Sequence, residues 1–420
     1  MRRVSIMLAT FGTLVFVPSV TLVGNGQNFV LVEEVRLPVD PSPAGTSTTD
    51  VDLVDVDNDG DLDLFKANGT DSLAVRQNQL LINDGAGNFV DATAARLPAT
   101  LANSLKVDFG DVDGDGDLDA IIARVGPEQL LLNDGDGFFS DGVAQLPAPP
   151  PLFDDISSDA RFADVDGDGD RDILVSNEIP FPGGLGAQNR LWTNNGRGVF
   201  TDETALRLPS AIDQTAAMLP GDVDSDGDLD IVVLNRGQDK VLINDGSGIF
   251  TDDTAARFPV TSDTTRAGGL ADLDGDGDLD LVVGNSQNEP AALYFNHDGV
   301  FEAGDLGMIP GLNETIAGLE LVDLDQDGDL DVYLSNAGGF QFGHGFLGGP
   351  DRYFRNNGRG HFEERTGAHF QPPDDPTTDA AFGDIDDDGD LDLIVGNSGT
   401  NGGERAFINY PCALGRCDGR

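Results

Sequence analysis

The residues best placed to do chemistry are aspartates, and they recur in one nine-residue string, D-x-D-x-D-G-D-x-D. Seven copies occur: Asp55, Asp57, Asp59, Asp61 and Asp63; Asp111, Asp113, Asp115, Asp117 and Asp119; Asp164, Asp166, Asp168, Asp170 and Asp172; Asp222, Asp224, Asp226, Asp228 and Asp230; Asp272, Asp274, Asp276, Asp278 and Asp280; Asp323, Asp325, Asp327, Asp329 and Asp331; Asp384, Asp386, Asp388, Asp390 and Asp392. Calcium takes about six to eight oxygen ligands at roughly 2.3–2.6 Å. Carboxylates at positions 1, 3, 5 and 9, with a backbone carbonyl at 7, can wrap one such ion. The invariant Gly at position 6, from Gly60 to Gly389, permits the sharp turn. Position 12 is never acidic (Lys66, Ile122, Val175, Val233, Val283, Leu334, Val395), so these are not helix–loop–helix calcium sites. The expectation is about seven Ca2+ ions held in β-hairpins. The opposing reading, a solvated acidic turn, leaves strong like-charge repulsion uncompensated.

Such loops need rigid flanks, and the sequence between them supplies these. Copies start 56, 53, 58, 50, 51 and 61 residues apart. A second string, Asn, a Gly-rich turn, then Phe, follows six of them: Asn83–Phe89, Asn133–Phe139, Asn194–Phe200, Asn244–Phe250, Asn296–Phe301 and Asn356–Phe362. Each unit parses into four strands; in the first these are A near Thr49–Val54, B near Asp63–Ala67, C near Gln79–Ile82 and D near Phe89–Ala94. Runs such as Asp230-Ile231-Val232-Val233 suit buried strands, and no useful helical periodicity appears. After the seventh acidic string only Asn409 remains. The missing Phe strand lies at the other end, where Gln27-Asn28-Phe29 through Arg36-Leu37-Pro38 matches Gly87-Asn88-Phe89 through Arg96-Leu97-Pro98. That permutation favours a closed ring over an open array. The expected fold is all-β: a seven-bladed β-propeller of four-stranded blades over residues 25–410, closed by its N-terminal strand.

The chain has 420 residues, with 75 acidic against 24 basic and a formal charge of −51. This excludes a nucleic-acid binder, which needs a basic footprint. A hydrophobic share of 39% is enough for a core, so disorder is excluded too. Residues 1–24 read as a secretory signal: Arg2-Arg3, then an apolar run from Val4 to Val17, then Pro18-Ser19. An uncleaved anchor is the alternative, and no later run is long and apolar enough to span a membrane. The expected location is secreted, periplasmic or cell-surface. Cys412 and Cys417, in a tail over residues 411–420, are expected to close a small disulfide loop.

The acidic loops, preceded by Phe109-Gly110-Asp111 or Phe382-Gly383-Asp384, resemble the FG-GAP (VCBS) repeats of exported bacterial proteins and the calcium-bearing blades of integrin α-subunit propellers. The resemblance covers nearly the whole chain beyond the signal. It implies a seven-bladed propeller with calcium in the A–B hairpins and roles in adhesion or in binding carbohydrate or protein. The Phe-Gly pair is replaced in other units, by Phe162-Ala163, Pro220-Gly221, Leu270-Ala271 and Leu321-Val322.

In such a ring the A–B and C–D turns share one face and the variable B–C connections the other. The connection over residues 336–352 is the richest, and Phe340, Phe342, His344 and Phe346 are the candidate ligand-binding residues; their burial as a plug is the competing reading. Trp192 is expected to pack, the Asn residues ending strand B (Asn68, Asn177, Asn235, Asn285, Asn336, Asn397) to form turns, being tolerant of left-handed geometry, and Arg36, Arg96, Arg207 and Arg257 to be repeat architecture. Of the four His, His297 and His361 fall in C–D turns, His344 lies on the long loop, and His369 carries no motif. Glu178 and Glu404 could serve polysaccharide chemistry, but no motif unites them. The functional expectation is a monomeric, non-catalytic, calcium-stabilised module binding a glycan or protein, with a calcium-dependent polysaccharide lyase or hydrolase as the alternative.

Overall fold

The computed structural model describes residues 37–38, 47–69, 75–149, 156–178, 186–286, 289–306, 315–338, 340–341, 345–346, 348–366, 376–398 and 405–407. In the first blade strand A (Ser47–Val54) pairs antiparallel with B (Asp63–Gly69), B with C (Gln79–Ile82), and C with D (Val90–Asp91). Strand B is buried along its whole length because it is paired on both edges and covered on both faces. That is why its equivalents read as unbroken apolar runs.

Five further blades repeat this A-B-C-D order. Their inner A strands are Ser104–Gly110, Ser157–Ala163, Thr215–Gly221, Thr265–Ala271 and Ile316–Val322. The expected seven four-stranded blades are thus corrected to six. The last acidic string belongs to a terminal sheet of three strands, Thr377–Gly383, Asp392–Asn397 and Arg405–Phe407. The reason is local: after Phe407 the sequence holds no Phe strand to serve as a D strand. The segment expected to complete this sheet, Phe29–Arg36, lies outside the described residues, as do the signal, Cys412 and Cys417. Leu37 is described, and it packs against the apolar cluster that the first blade (Val51, Leu64) and the terminal sheet (Ala381, Ile394) share.

The outer edge departs from the sequence reading. Strand D is only two to four residues long. In three blades it gives way to a helical turn, Thr93–Arg96, Thr204–Arg207 or Thr254–Arg257. The cause is an Asp-x-Thr sequence. The Asp91 carboxylate accepts the Thr93 N–H at 2.9 Å, and the Thr93 hydroxyl accepts the Leu80 N–H at 3.0 Å. Side-chain caps of this kind compete with ladder pairing.

Neighbouring blades are clamped by the Asn that ends strand C. Asn133 Nδ2 donates to the Val56 carbonyl of the first blade at 2.8 Å, and Asn194 Nδ2 to Val112 of the second at 2.8 Å. The same clamp joins Asn244 to Val165, Asn296 to Val223 and Asn356 to Leu273. Asn83 reaches Ile385 of the terminal sheet at 2.9 Å, which joins the first unit to the last. A second seam runs along the inner strands, where Thr378 Oγ1 donates to the Thr48 carbonyl at 2.6 Å and the Val51 N–H donates to Asp379 at 3.2 Å.

Every inner strand also carries a register shift at its head, so that one residue drops out of the pairing: Thr49, Leu105, Ser158, Ala216, Arg266, Ala317 or Thr378. All seven of these bulge residues line the central cavity.

Asn194→Ala strands the buried Val112 carbonyl and removes a bond to the part-buried Arg171 carbonyl. We expect it to lower unfolding free energy by about 1–3 kcal/mol in urea titrations, with the slope of the transition unchanged.

Candidate functional site

Each acidic string forms the turn between strands A and B. Positions 4 and 6 both take positive φ; in the first loop these are Asn58 at 57° and Gly60 at 96°. The sequence reading assigned the turn to position 6 alone. The second left-handed residue is a non-glycine in four loops (Asn58, Ser225, Gln326 and Asp387), a conformation that disfavours most L-residues.

The carboxylates divide their work by position. At position 1, Asp55 accepts the Gly60 N–H at 3.0 Å. At position 5, Asp59 accepts the Asp61 N–H at 3.0 Å. Position 9 is buried in every copy, at 0% exposure for Asp63 and 1% for Asp119. Asp63 Oδ2 accepts the Val56 N–H at 3.3 Å, and Oδ1 the Asn83 N–H at 2.9 Å. Burial pushes Asp63 and Asp172 up to about 7, and Asp119, Asp230, Asp280 and Asp331 up to about 6, against the downward pull of those amides. Position 7 points elsewhere. The Asp61 carboxylate sits over Gly85 of the C–D turn (φ 71°), where a Cβ would collide with it.

Position 3 is the informative one. Asp57 Oδ2 accepts from Arg96 at 2.7 Å, Asp166 Oδ2 from Arg207 at 3.0 Å and Asp224 Oδ2 from Arg257 at 3.0 Å. These arginines, read as repeat architecture, end the helical turns and reach the loops. The other oxygen, Oδ1, is buried without a hydrogen-bond partner in Asp57, Asp113, Asp166, Asp224 and Asp325. Carboxylate oxygens of Asp55, Asp57 and Asp63 lie within 4.8 Å of one another, as do those of Asp164, Asp166 and Asp172, and of Asp222, Asp224 and Asp230. In two other loops the grouping is positions 1, 3 and 5: Asp111, Asp113 and Asp115, and Asp272, Asp274 and Asp276. A buried, unpartnered anionic oxygen converging with two further carboxylates is a donor set that suits a hard dication.

Other expectations resolve individually. The Asn residues closing strand B have no left-handed backbone. They are buried ties: Asn235 Oδ1 accepts from Thr215 Oγ1 at 2.9 Å, and Nδ2 donates to the Gln238 carbonyl at 2.8 Å. Trp192 packs at 3% exposure. His297 is half exposed with Nδ1 3.2 Å from Asp276. Glu178 is ion-paired with Arg236, while Glu404 lies outside the described residues. So do Phe342, His344 and His369. The backbones of Phe340 and Phe346 pair in a two-residue hairpin ladder. Among the described residues no helix is long and apolar enough to cross a membrane.

The seven inner strands surround a cavity of about 290 Å³. One side is charged: Lys106 Nζ bridges Asp50 at 2.5 Å and Asp379 at 3.1 Å, and Arg161 holds Asp159 at 2.6 Å. Burial pushes Asp50 and Glu320 up to about 7 and Asp108 to about 6. Sequence reasoning missed this cluster, although charged residues inside apolar strand A segments were its signal.

The chain was compared with known proteins. The FG-GAP-like repeat model matches six stretches, residues 55–122, 111–175, 183–233, 222–283, 272–334 and 345–395, well over half of the chain. No curated protein matches it. Among solved structures, the extracellular domain of a putative hybrid two-component system, BT4673, from B. thetaiotaomicron is 13% identical with a TM-score of 0.50, over 93% of this chain and 40% of that one. BBS1N, solved in complex with ARL6DN, is 14% identical with a TM-score of 0.50, over 91% and 98%. A lectin from Agrocybe aegerita that recognises non-reducing terminal N-acetylglucosamine is 19% identical with a TM-score of 0.49, over 77% and 80%. The first two likenesses are of fold alone.

Among the described residues Glu320 accepts no hydrogen bond, and burial raises its carboxyl to about 7, above the ordinary carboxylate value. Its stabilising protonation is complete at low pH and lost as pH rises through about 7. Thermal melts in constant calcium between pH 5 and 8 should therefore show the wild-type midpoint falling relative to Glu320→Gln. Parallel pH profiles for the two proteins would remove Glu320 as the cause.

Proposed function

The chain belongs to the FG-GAP-like repeat family, and from that premise we propose an exported, calcium-binding β-propeller that serves as a binding module for a glycan or a protein. The observation that carries the calcium half is the buried, unpartnered Oδ1 at position 3 in five of the seven loops. The side chains at positions 1, 3, 5 and 9 would hold the ion, with a backbone carbonyl from position 7. The arginines at Asp57, Asp166 and Asp224 aim the first-bound carboxylate by occupying its far oxygen. Bound calcium supplies positive charge that offsets repulsion among carboxylates and ties strand A to strand B.

The binding half rests on architecture. One face is committed to the acidic loops and the Asn clamps, which are alike in every blade. Variation in length and composition falls on the B–C connections of the other face, including the stretch from Asn336 to Arg352 that carries Phe340, Phe342, His344 and Phe346. Loops on a rigid scaffold are where binding residues concentrate. Export follows from the reading of residues 1–24 as a signal.

Two measurements test this. Removing metal with EDTA should lower the melting temperature, because at free calcium ten times Kd each site contributes about 1.4 kcal/mol; Asp166→Asn should reduce the bound calcium by one ion. An unchanged melt after confirmed metal removal would sink the calcium assignment. Separately, glycan-array and pull-down retention should require calcium and fall when the residues between Asn336 and Arg352 are replaced by a short Gly-Ser link. Retention indifferent to that replacement would move the binding face elsewhere.

A further inference from the structure

The central cavity is lined unequally. The bulge residue heading each inner strand is small or uncharged in six sheets: Thr49, Leu105, Ser158, Ala216, Ala317 and Thr378. The three hydroxyls among them are committed to the neighbouring strand, as Thr49 Oγ1 is to the Ser104 carbonyl at 2.9 Å and Ser158 Oγ to Thr215 at 2.6 Å. In the fifth blade the same position is Arg266. A bulge re-aims its side chain out of the sheet, and here it turns a guanidinium into the cavity. Among the described residues Arg266 makes no ion pair or hydrogen bond. Its electrostatic neighbours are Glu178 and Arg236, and that glutamate is already paired with Arg236. Two cations therefore share one acid at this end.

The other unpaired charge is Glu320, on the adjacent inner strand. It lines the cavity and has no hydrogen-bond partner among the described residues, because Lys106 is taken by Asp50 and Asp379, and Arg161 by Asp159. In register Glu320 stands three residues further along its strand than the Arg266 position, which Ala317 occupies there. At about 3.3 Å per residue this sets the two about 10 Å apart along the channel. Ala267, Gly268 and Gly318 also line the cavity; the two glycines let neighbouring side chains, Leu234 and Asp379, approach closely. Arg266 is exposed and Glu320 half-buried, so a solute in the cavity they line can reach both side chains.

We propose that this cavity is a binding site for a small zwitterion of about dipeptide length, its carboxylate on the Arg266 guanidinium and its ammonium on Glu320. A planar carboxylate matches the guanidinium fork, and an ammonium answers Glu320, the carboxylate of the cavity lining that makes no ion pair among the described residues, with Lys106 and Arg161 acting on it only at longer range. A cavity of about 290 Å³ admits such a molecule but not a sugar chain. The site is separate from the surface loops proposed for the macromolecular partner, and its test is run in calcium so that the outcome does not depend on the loops.

Isothermal titration of the full chain in calcium buffer supplies that test, with 6-aminohexanoate and dialanine as zwitterions and hexanoate, hexylamine and glycine as controls. One zwitterion per chain should bind, with hexanoate and hexylamine, each missing one charge, weaker by about tenfold or more, and glycine too short to bridge. Arg266→Gln and Glu320→Gln should each cost about tenfold, whereas Arg266→Lys should retain part of the affinity. Circular dichroism and bound calcium verify that the variants are folded. No heat from either zwitterion at about 10 mM, a range near the millimolar limit of useful affinity, overturns the site. Hexanoate or glycine binding as well as 6-aminohexanoate overturns the bridging geometry, and affinity unaffected by both neutral variants overturns the assignment of residues.

Discussion

Each unit hangs on one buried carboxylate, the ninth residue of its acidic string. Asp119 shows the arrangement: one oxygen accepts the Val112 N–H and so closes its own loop, and the other accepts the Asn133 N–H at the end of strand C. Asn133 then donates its side chain to the Val56 carbonyl of the preceding blade. Loop, sheet and neighbouring blade are thus fixed by a single relay of two side chains. An aspartate can hold this position because its oxygens are both satisfied by backbone amides, which is what a buried anion requires.

The same turns concentrate negative charge in a chain of formal charge −51. The structure answers the repulsion in layers. Amides within the turn take oxygens of positions 1 and 5, arginines from helical turns take the outer oxygen of position 3, and the inner oxygen is left facing the other carboxylates. The arginine contacts are more than peripheral ion pairs, since Arg207 also donates to the Ser247 carbonyl of the next blade at 2.6 Å. The position-3 carboxylate and blade packing are therefore coupled through one guanidinium.

Much of this was legible in the residues. Strand C was read at Gln79–Ile82 and lies there, and strand B differs from its reading only by running on to Gly69, because apolar runs bounded by turn residues leave little freedom. Strand D was overread. Phe89 to Ala94 looked continuous, but the Asp91 and Thr93 side chains divert the backbone into a helical turn, a local competition that hydropathy does not register. The Asn ending strand B was misread as a turn former, tolerant of left-handed geometry, because Asn favours such turns in isolation, whereas Asn235 is buried at 3% exposure among hydroxyl and carbonyl partners. The inter-blade Asn was seen as a recurring letter without its partner, which sits 77 residues away for Asn133. Charges such as Lys106 and Asp379, 273 residues apart, could be brought together only by the ring.

The bulges at the heads of the inner strands have a wider bearing. A residue that drops out of the ladder contributes nothing to sheet pairing, so its identity can drift while the register on either side stays fixed. The seven such residues stand at one level around a single axis. Duplicated units are thereby free to diverge at the place where divergence disturbs least, and a scaffold that is nearly symmetric outside can carry an interior that is different on every side.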